Sequence, residues 1–410
     1  MNKKQEIVPK LRFPEFEVDY NIKFLRGDSL FEPVVNKNHN SDLPLLAITQ
    51  DQGAVPRDQI DYNVTVTKKS LATYKVVEIG DFIISLRSFQ GGIEYSRFKG
   101  ICSPAYIVLR KKRNDVLERY YKYYFKLENY IQKLNRNLEG IRDGKMISYS
   151  QFSTTKIPYP SLREQQKVAD CLSSIDKLID VEGRKLELLK KYKKGLMQKL
   201  FPAEGKTLPE WRFPEFQRCG EWISKPLGKI SEILMCKRIF ANETDITGEV
   251  PFYKIGTLGG KPDRFISRST FERYKELYNF PKEGEVLISC SGTVGRCLQY
   301  DGCDAYFQDS NIVWVDNQTL EIDNDLLFHL LSGTNWNRLN STTITRIYTS
   351  DLKELIISFP VNKNEQLKIA NCLSSIDSLI EAQSNKFEFY RTQKKGLMQG
   401  LFPSFKEADE

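Results

Sequence analysis

Histidine is almost missing from this 410-residue sequence, and the two present, His39 and His329, stand at no ligand spacing. That argues against a histidine-built metal centre or a Ser-His-Asp triad. The eight cysteines include no CxxC pair, so neither a zinc site nor a secreted disulfide framework is indicated. Cys171 and Cys372 hold equivalent places in a repeat, and Cys290, Cys297 and Cys303 lie in apolar or turn contexts; all are read as reduced structural thiols. No run of about 18 apolar residues is present, and MNKKQEIVPK at the start has no apolar h-region. The chain is therefore expected in the cytoplasm, with no membrane partner.

Catalytic motifs are missing as well. Gly140, Gly144 and Lys145 approach a phosphate-binding loop, but the spacing is one residue short and Met146 replaces the hydroxyl that would hold magnesium. The Asn-Pro-Pro-aromatic tetrapeptide of amino-methyltransferases does not occur, nor does a Gly-x-Gly cofactor loop. Pro262 and Asp263 could open a nuclease carboxylate motif, but no Glu-x-Lys follows at a useful distance. The expectation is a chain with no catalytic residues, no metal site and no cofactor of its own.

What is present is a duplication. EQQKVADCLSSIDKLIDVEGRKLELLKKYKKGLMQKLFP at 164–202 and EQLKIANCLSSIDSLIEAQSNKFEFYRTQKKGLMQGLFP at 365–403 align without a gap, with 23 of 39 positions identical. Each copy opens about 150 residues earlier with RFPEF, at 12–16 and at 212–216. Between these ends the copies differ almost everywhere while keeping one order of elements. GDFIISLRS at 80–88 answers GEVLISCSG at 284–292, each a turn glycine and an acid before a short β-prone run. AYIVL at 105–109 answers NIVWV at 311–315, both read as buried strands.

A helix is expected after Asp115, with Leu117, Tyr120, Tyr121, Tyr124, Leu127, Ile131 and Leu134 as its apolar stripe; LLFHLL after Asp325 is its shorter counterpart. Residues 145–160 and 346–360 are each read as a turn, a strand and an exit by proline.

Each copy is then closed by a long helix. Ser161 with Glu164, and Asn362 with Glu365, have the spacing of a capping box. A heptad frame runs through Val168, Leu172, Ile175, Ile179, Glu182, Leu186, Leu189, Lys193, Leu196 and Leu200. In the second copy it runs through Ile369, Leu373, Ile376, Ile380, Gln383, Phe387, Tyr390, Lys394, Leu397 and Leu401. Both seams are apolar except at two shared positions, and a seam of this length needs a partner helix. The other copy is the nearest candidate; packed antiparallel, the two helices would bring Glu182 and Gln383 face to face. Gly195 and Gly396, then Pro202 and Pro403, mark where the helices weaken and stop.

The fold expected is α+β, with two globular domains, 1–158 and 203–360, and two helical spacers, 159–202 and 361–410, packed as an antiparallel coiled coil with a pseudo-twofold repeat. Charge is uneven. Residues 1–200 hold 36 Lys and Arg against 24 Asp and Glu, a net of +12, and residues 201–410 hold 25 against 29, a net of −4. A basic excess fits a polyanion partner.

Candidate DNA contacts in the first copy are Lys68, Lys69, Arg87, Ser88 and Gln90, the run Arg110, Lys111, Lys112 and Arg113, and Arg136, Arg142 and Lys145. In the second they are Lys237, Arg238, Arg264, Arg268, Ser291, Thr293, Arg296, Arg338, Asn340, Thr345 and Arg346. Lysines and loop hydroxyls suit phosphates, while Arg, Asn and Gln can pair with base edges. Taken singly, each is as a rule a solvated surface charge.

Two divergent domains, each followed by a helix of the form EQ-x-K-(V/I)-A-x-CLSSID-x-LI that closes in KKGLMQ and LFP, resemble the DNA-specificity subunit of a type I restriction-modification system. The resemblance covers nearly the whole chain and is carried most strongly by Glu164, Gln165, Leu172, Ile175, Asp176 and their copies. It implies target-recognition domains that read a split double-stranded DNA site, one part each, and conserved helices that dock two modification (methyltransferase) subunits. S-adenosylmethionine would then sit in the modification subunits, and ATP and magnesium in the restriction (translocase-endonuclease) subunits. The alternative is a coiled-coil interaction scaffold whose globular domains bind something other than DNA.

Overall fold

The computed structural model describes residues 9–17, 22–40, 42–60, 68–136, 147–336 and 346–403. In the first copy the strands are β1 (Lys23–Arg26), β2 (Phe31–Val34), β3 (Leu46–Thr49), β4 (Gly53–Pro56), β5 (Lys75–Val77), β6 (Phe82–Ile84), β7 (Glu94–Tyr95), β8 (Gly100–Cys102), β9 (Ile107–Lys111) and β10 (Lys156–Tyr159). Single helical turns α1 (Gly27–Leu30), α2 (Lys68–Leu71) and α3 (Ser88–Gly91) lie among them, followed by α4 (Glu118–Tyr124), α5 (Glu128–Arg136), α6 (Tyr149–Thr154) and the long α7 (Leu162–Leu200). The second copy runs β11 (Ile223–Pro226), β12 (Glu232–Leu234), β13 (Val250–Tyr253), β14 (Phe265–Ile266), α8 (Arg268–Leu277), β15 (Val286–Ser289), β16 (Cys297–Gln299), β17 (Tyr306–Phe307) and β18 (Ile312–Asp316). It ends with α9 (Asn324–Gly333), α10 (Thr349–Glu354), β19 (Ile356–Phe359) and the long α11 (Lys363–Leu401).

Both copies build the same four-stranded antiparallel sheet, ordered β2-β9-β6-β7 in one and β12-β18-β15-β16 in the other. The strands β6 and β15 read as unbroken apolar runs because each is buried on both faces, and alternate side chains point to opposite sides of the pleat. Phe82 and Ile84 enter one core while Ile83 enters a second. Val286 and Ile288 likewise part from Leu287. A two-stranded ribbon then ties each domain's entry to its exit, Lys23 opposite Tyr159 and Ile223 opposite Phe359.

Two local expectations need correction. The single helix expected from 117 to 134 is two helices, α4 and α5, broken at Phe125–Leu127. Tyr120, Tyr121, Tyr123, Tyr124 and Phe125 are all buried, so the aromatic run packs on every side and the helical period cannot mark its end. The turn expected before β10 is the helix α6, started by a full capping box in which Ser148 and Gln151 exchange hydrogen bonds. In the second copy α10 takes the same place.

By internal contacts the chain forms two compact units, residues 1–182 with 386–410, and residues 183–385. Each unit holds one domain, the start of the helix that follows it and the end of the other long helix. In the first unit Lys394 Nζ donates to Asp176 at 2.6 Å and Lys386 to Glu182 at 2.9 Å. Residue numbers rise along one helix as they fall along the other, so the segments are antiparallel. In the second unit Lys193 Nζ meets both Asp377 oxygens, at 2.5 and 2.6 Å. Lys193 and Lys394, the polar residues shared by the two seams, thus carry salt bridges.

Every position of both heptad frames is buried or half-buried. Glu182 is 4% exposed. The helices run through Gly195 and Gly396 without interruption.

The helix starts explain the EQ pair of the repeat. Ser161 Oγ accepts the Glu164 amide at 3.3 Å, and Asn362 Oδ1 accepts the amides of Asn364 and Glu365 at 2.9 and 3.4 Å. The glutamate side chains serve a different partner from the one a capping box gives them. Arg12 Nε and Nη2 donate to Glu164 at 2.8 and 2.9 Å, and the same atoms of Arg212 donate to Glu365 at 2.6 Å each. The RFPEF arginine therefore locks the front of each domain to its helix by a bidentate pair.

Gln165 spans the other side. Its Nε2 donates to Asp115 O and Pro160 O, and its Oε1 accepts the Leu117 amide. Gln366 repeats this on Glu321 O, Pro360 O and the Asp323 amide.

The far helix ends are bound too. Leu401 and Phe402 lie in the first domain's core, where the Phe402 ring stands 5.0 Å from Tyr120 and 5.9 Å from Tyr124. Leu200 lies in the second domain's core. Leu11 N–H donates to Gly400 O, and Trp211 N–H to Lys199 O, each at 2.9 Å.

Candidate nucleic-acid interface

In each domain the connection after the central apolar strand is held rigid from within. In the first domain Ser85 opens a sharp turn: its amide donates to Ser88 Oγ at 2.8 Å, and Ser88 is buried. Ser88 is thus a turn-former, which removes it from the outward-facing contacts. Arg87, just before α3, and Gln90, on it, remain exposed. The carbonyls of this turn are captured by three side chains. Asn135 Nδ2 takes Phe89 O at 2.6 Å, Lys126 Nζ takes Gly91 O at 2.7 Å, and Gln50 Nε2 reaches Arg87 O at 3.5 Å and Gln90 Oε1 at 3.4 Å. At Gly92, with φ +83°, a Cβ would come within 2.2 Å of Phe125 O, so only glycine fits this corner.

The basic run after this loop has other work. Arg110 is bidentate to the buried Asp81 at 2.8 and 2.7 Å. Lys111 pairs with Glu118 at 2.7 Å, Lys112 Nζ donates to Asp28 O at 3.2 Å, and Arg113 pairs with Asp115 at 2.9 Å. The structure places these four on β9 and the turn beyond it, already joined to partners in the same domain.

The second domain gathers its candidates around the turn 308–311. Arg238 Nε donates to Asp309 at 2.8 Å, Arg346 Nη2 to Ser310 O at 3.3 Å, and Ser291 Oγ to Asn311 Oδ1 at 2.8 Å. Ser291 and Arg346 also pair backbone to backbone. Ser310 has φ +53°, a strained conformation for a residue with a Cβ, of the kind that functional sites retain. Thr293 and Arg296 are exposed on the neighbouring β15–β16 connection.

Lys237 lies over the Tyr278 ring, 5.2 Å from its centroid, and Arg268 pairs with Asp304 at the start of α8. Arg264 is half-buried, its carbonyl accepting the Phe252 amide. Arg142, Lys145, Arg338, Asn340 and Thr345, and the side chains of Lys68, Lys69 and Arg136, lie outside the described residues.

Sequence reading missed Gln50, Asp309, Ser310 and Asn311. Gln50 and Gln90 are 40 residues apart and meet only because β3–β4 folds beside α3. No local pattern marks that meeting.

Two carboxyls are displaced. Burial lifts Glu94 to about 7 against the opposing pull of Lys126. Burial, with the Asp316 carboxylate adding to it, lifts Glu285 to about 7. Burial also pushes the Cys102, Cys236 and Cys297 thiols up to about 12, which leaves them unreactive; all eight cysteines are free. His329 is fully buried, its Nε2 3.0 Å from Ser374 Oγ, and burial with nearby Lys193 lowers it to about 4. Among the described residues no group of three or more His, Cys, Asp and Glu is placed to hold a metal ion. Among them, too, no helix is long and apolar enough to cross a membrane.

Comparison with known proteins places this architecture. The model of the type I restriction modification DNA specificity domain matches twice, at residues 25–191 and 220–388. A putative type I restriction enzyme specificity subunit of Haemophilus influenzae is 43% identical over 176 residues, which is 40% of this chain and 46% of that protein. The MjaVIII specificity subunit of Methanocaldococcus jannaschii is 26% identical over 353 residues, 82% of this chain and 80% of that one. In fold, the crystal structure of a type I restriction-modification S subunit from M. genitalium superposes with a TM-score of 0.62 at 16% identity, covering 97% of this chain and all of that one. The chain belongs to the family of type I restriction-modification DNA specificity subunits.

Proposed function

We propose that this chain reads a bipartite, asymmetric site in double-stranded DNA, one half per domain, and docks two methyltransferase subunits while supplying no catalytic group itself. The observation that carries this reading is a fixed scaffold with exchanged loops. The β6–β7 and β15–β16 connections hold the same topological place, yet one presents Arg87 and Gln90 beside Gln50, and the other Ser291, Thr293 and Arg296 beside Asn311 and Arg346. Different side chains on equivalent rigid platforms suit different base sequences.

The long helices support the second half of the proposal. Leu178, Leu188 and Tyr192 on α7, and Leu379 and Phe389 on α11, are more than 40% exposed. Leu178 and Leu379 are equivalent in the repeat, as are Leu188 and Phe389, so the same apolar positions are offered twice, which fits one kind of partner met twice. S-adenosylmethionine is assigned to those modification subunits, and ATP and magnesium to the restriction subunits.

Each 39-residue helix spans about 58 Å at 1.5 Å per residue, while half-sites one DNA turn apart are separated by about 34–36 Å. Two modest half-site affinities held at a fixed gap multiply, because the second contact is intramolecular. The test is binding of the purified subunit complex to duplex DNA across a salt series. A steep, linear fall of log affinity with log salt is expected from phosphate contacts. Absence of DNA binding would favour the interaction scaffold.

A further inference from the structure

The break between α4 and α5 puts Lys126 at the centre of the first domain's exposed loop. Its Nζ has three acceptors from three elements: Gln50 O after β3 at 2.9 Å, Gly91 O at the end of α3 at 2.7 Å, and Glu94 Oε1 on β7 at 2.5 Å. An ammonium has three protons to donate, and here each has an acceptor. Glu94 is buried, its side chain 3% exposed, so the ion pair is anchored on the protein side. Close packing reinforces the joint, since a Cβ on Gly91 would lie 2.7 Å from the Gln50 side chain. A continuous helix through 125–127 would carry this lysine elsewhere.

We infer that Lys126 is a positioning residue for sequence recognition by the first domain. It ties the turn at Gln50 to the α3 loop, so that Gln50, Arg87 and Gln90 form one surface of fixed geometry. It touches no base; it sets where the exposed amides and the guanidinium stand. Base discrimination depends on such paired donors and acceptors holding their relative positions, and a loosened platform would tolerate more than one base. The second domain holds its loop differently, through Ser291, Asn311 and Arg346, so the effect belongs to one half-site. This inference rests on the reading that the domains recognise DNA.

The test uses the full chain assembled with its modification subunits and DNA duplexes mismatched in one half or the other. A mismatched base pair ordinarily lowers affinity about 5- to 150-fold. With Lys126→Met, discrimination in one half should fall below about threefold while the other half keeps its full value. Lys126→Arg, which retains a cation with several donors, should restore part of it, and Glu94→Gln should loosen the same half. If Lys126→Met does not assemble, the arginine and glutamine variants carry the comparison. Unchanged discrimination in both halves, or an equal loss in both, would overturn the inference. If the unaltered complex shows no two-part site at all, the functional reading fails instead, and the two failures are distinguishable.

Discussion

Arg110 and Asp316 occupy equivalent places on the two four-stranded sheets, each one residue beyond the strand position that faces Phe82 or Val286. In the first domain the neighbour is Asp81, and the result is a bidentate ion pair. In the second the neighbour is Glu285, and two carboxyls meet. Burial and Asp316 lift Glu285 to about 7, above its ordinary 4.5. The folded state thus holds this proton more tightly than the unfolded chain does. Its stabilising contribution is complete below about pH 4.5 and is lost as pH rises through about 7. Glu285→Gln keeps the oxygen that accepts the Lys282 amide and removes the charge. Thermal scans of the variant are expected to match the parent near pH 4.5 and to show a gain of about 1–2 kcal/mol at pH 8. A variant less stable than the parent at pH 8 would show that the carboxylate is favourable there.

At the scale of elements, each long helix is one object with two duties. Its start is locked to the domain before it by an arginine, and its end fills the core of the other domain. Phe402 is 2% exposed and packed on two tyrosines, so Phe402→Ala should cost about 3–5 kcal/mol. Hydrogen exchange should locate the loss in residues 22–160 rather than in the second domain.

The helices themselves were legible in the sequence, because a heptad period and an N-cap are local signals. Gly195 and Gly396 misled only about where they weaken. The α4–α5 break was not legible, since five of the six residues from Tyr120 to Phe125 are buried aromatics and carry no period. Nor was the destination of the LFP ends, because Phe402 and Tyr120 are 282 positions apart and no local pattern names so distant a partner. Of the candidate contacts, Arg87, Gln90, Ser291, Thr293 and Arg296 fall on the two equivalent loops, and Arg346 stands beside the second. Ser88 and Arg110 are built into the domain, which composition and loop position could not reveal.

For the molecule as a whole, identity across the duplication follows the internal partners. Glu164 and Glu365, Gln165 and Gln366, Asp176 and Asp377, and Lys193 and Lys394 are identical because each pair makes the same bond in both copies. Other contacts of these residues vary between the copies, as where Tyr123 donates to Asp176 at 2.7 Å but His329 sits 3.7 Å from Asp377.

On the proposed reading the helices also set the unread gap. Inserting one heptad in each keeps the seam in phase and lengthens it by about 10.5 Å, or about three base pairs. The recognised gap is expected to grow by about that amount in the sites selected from random duplexes, and an unchanged gap would remove the helices from that role.

The most direct measurement is a genome-wide map of methylated positions in cells carrying this chain with its modification subunits. The account predicts one motif in two unlike halves, separated by a fixed run of unspecified bases. A single continuous motif, or no methylation dependent on this chain, would contradict it.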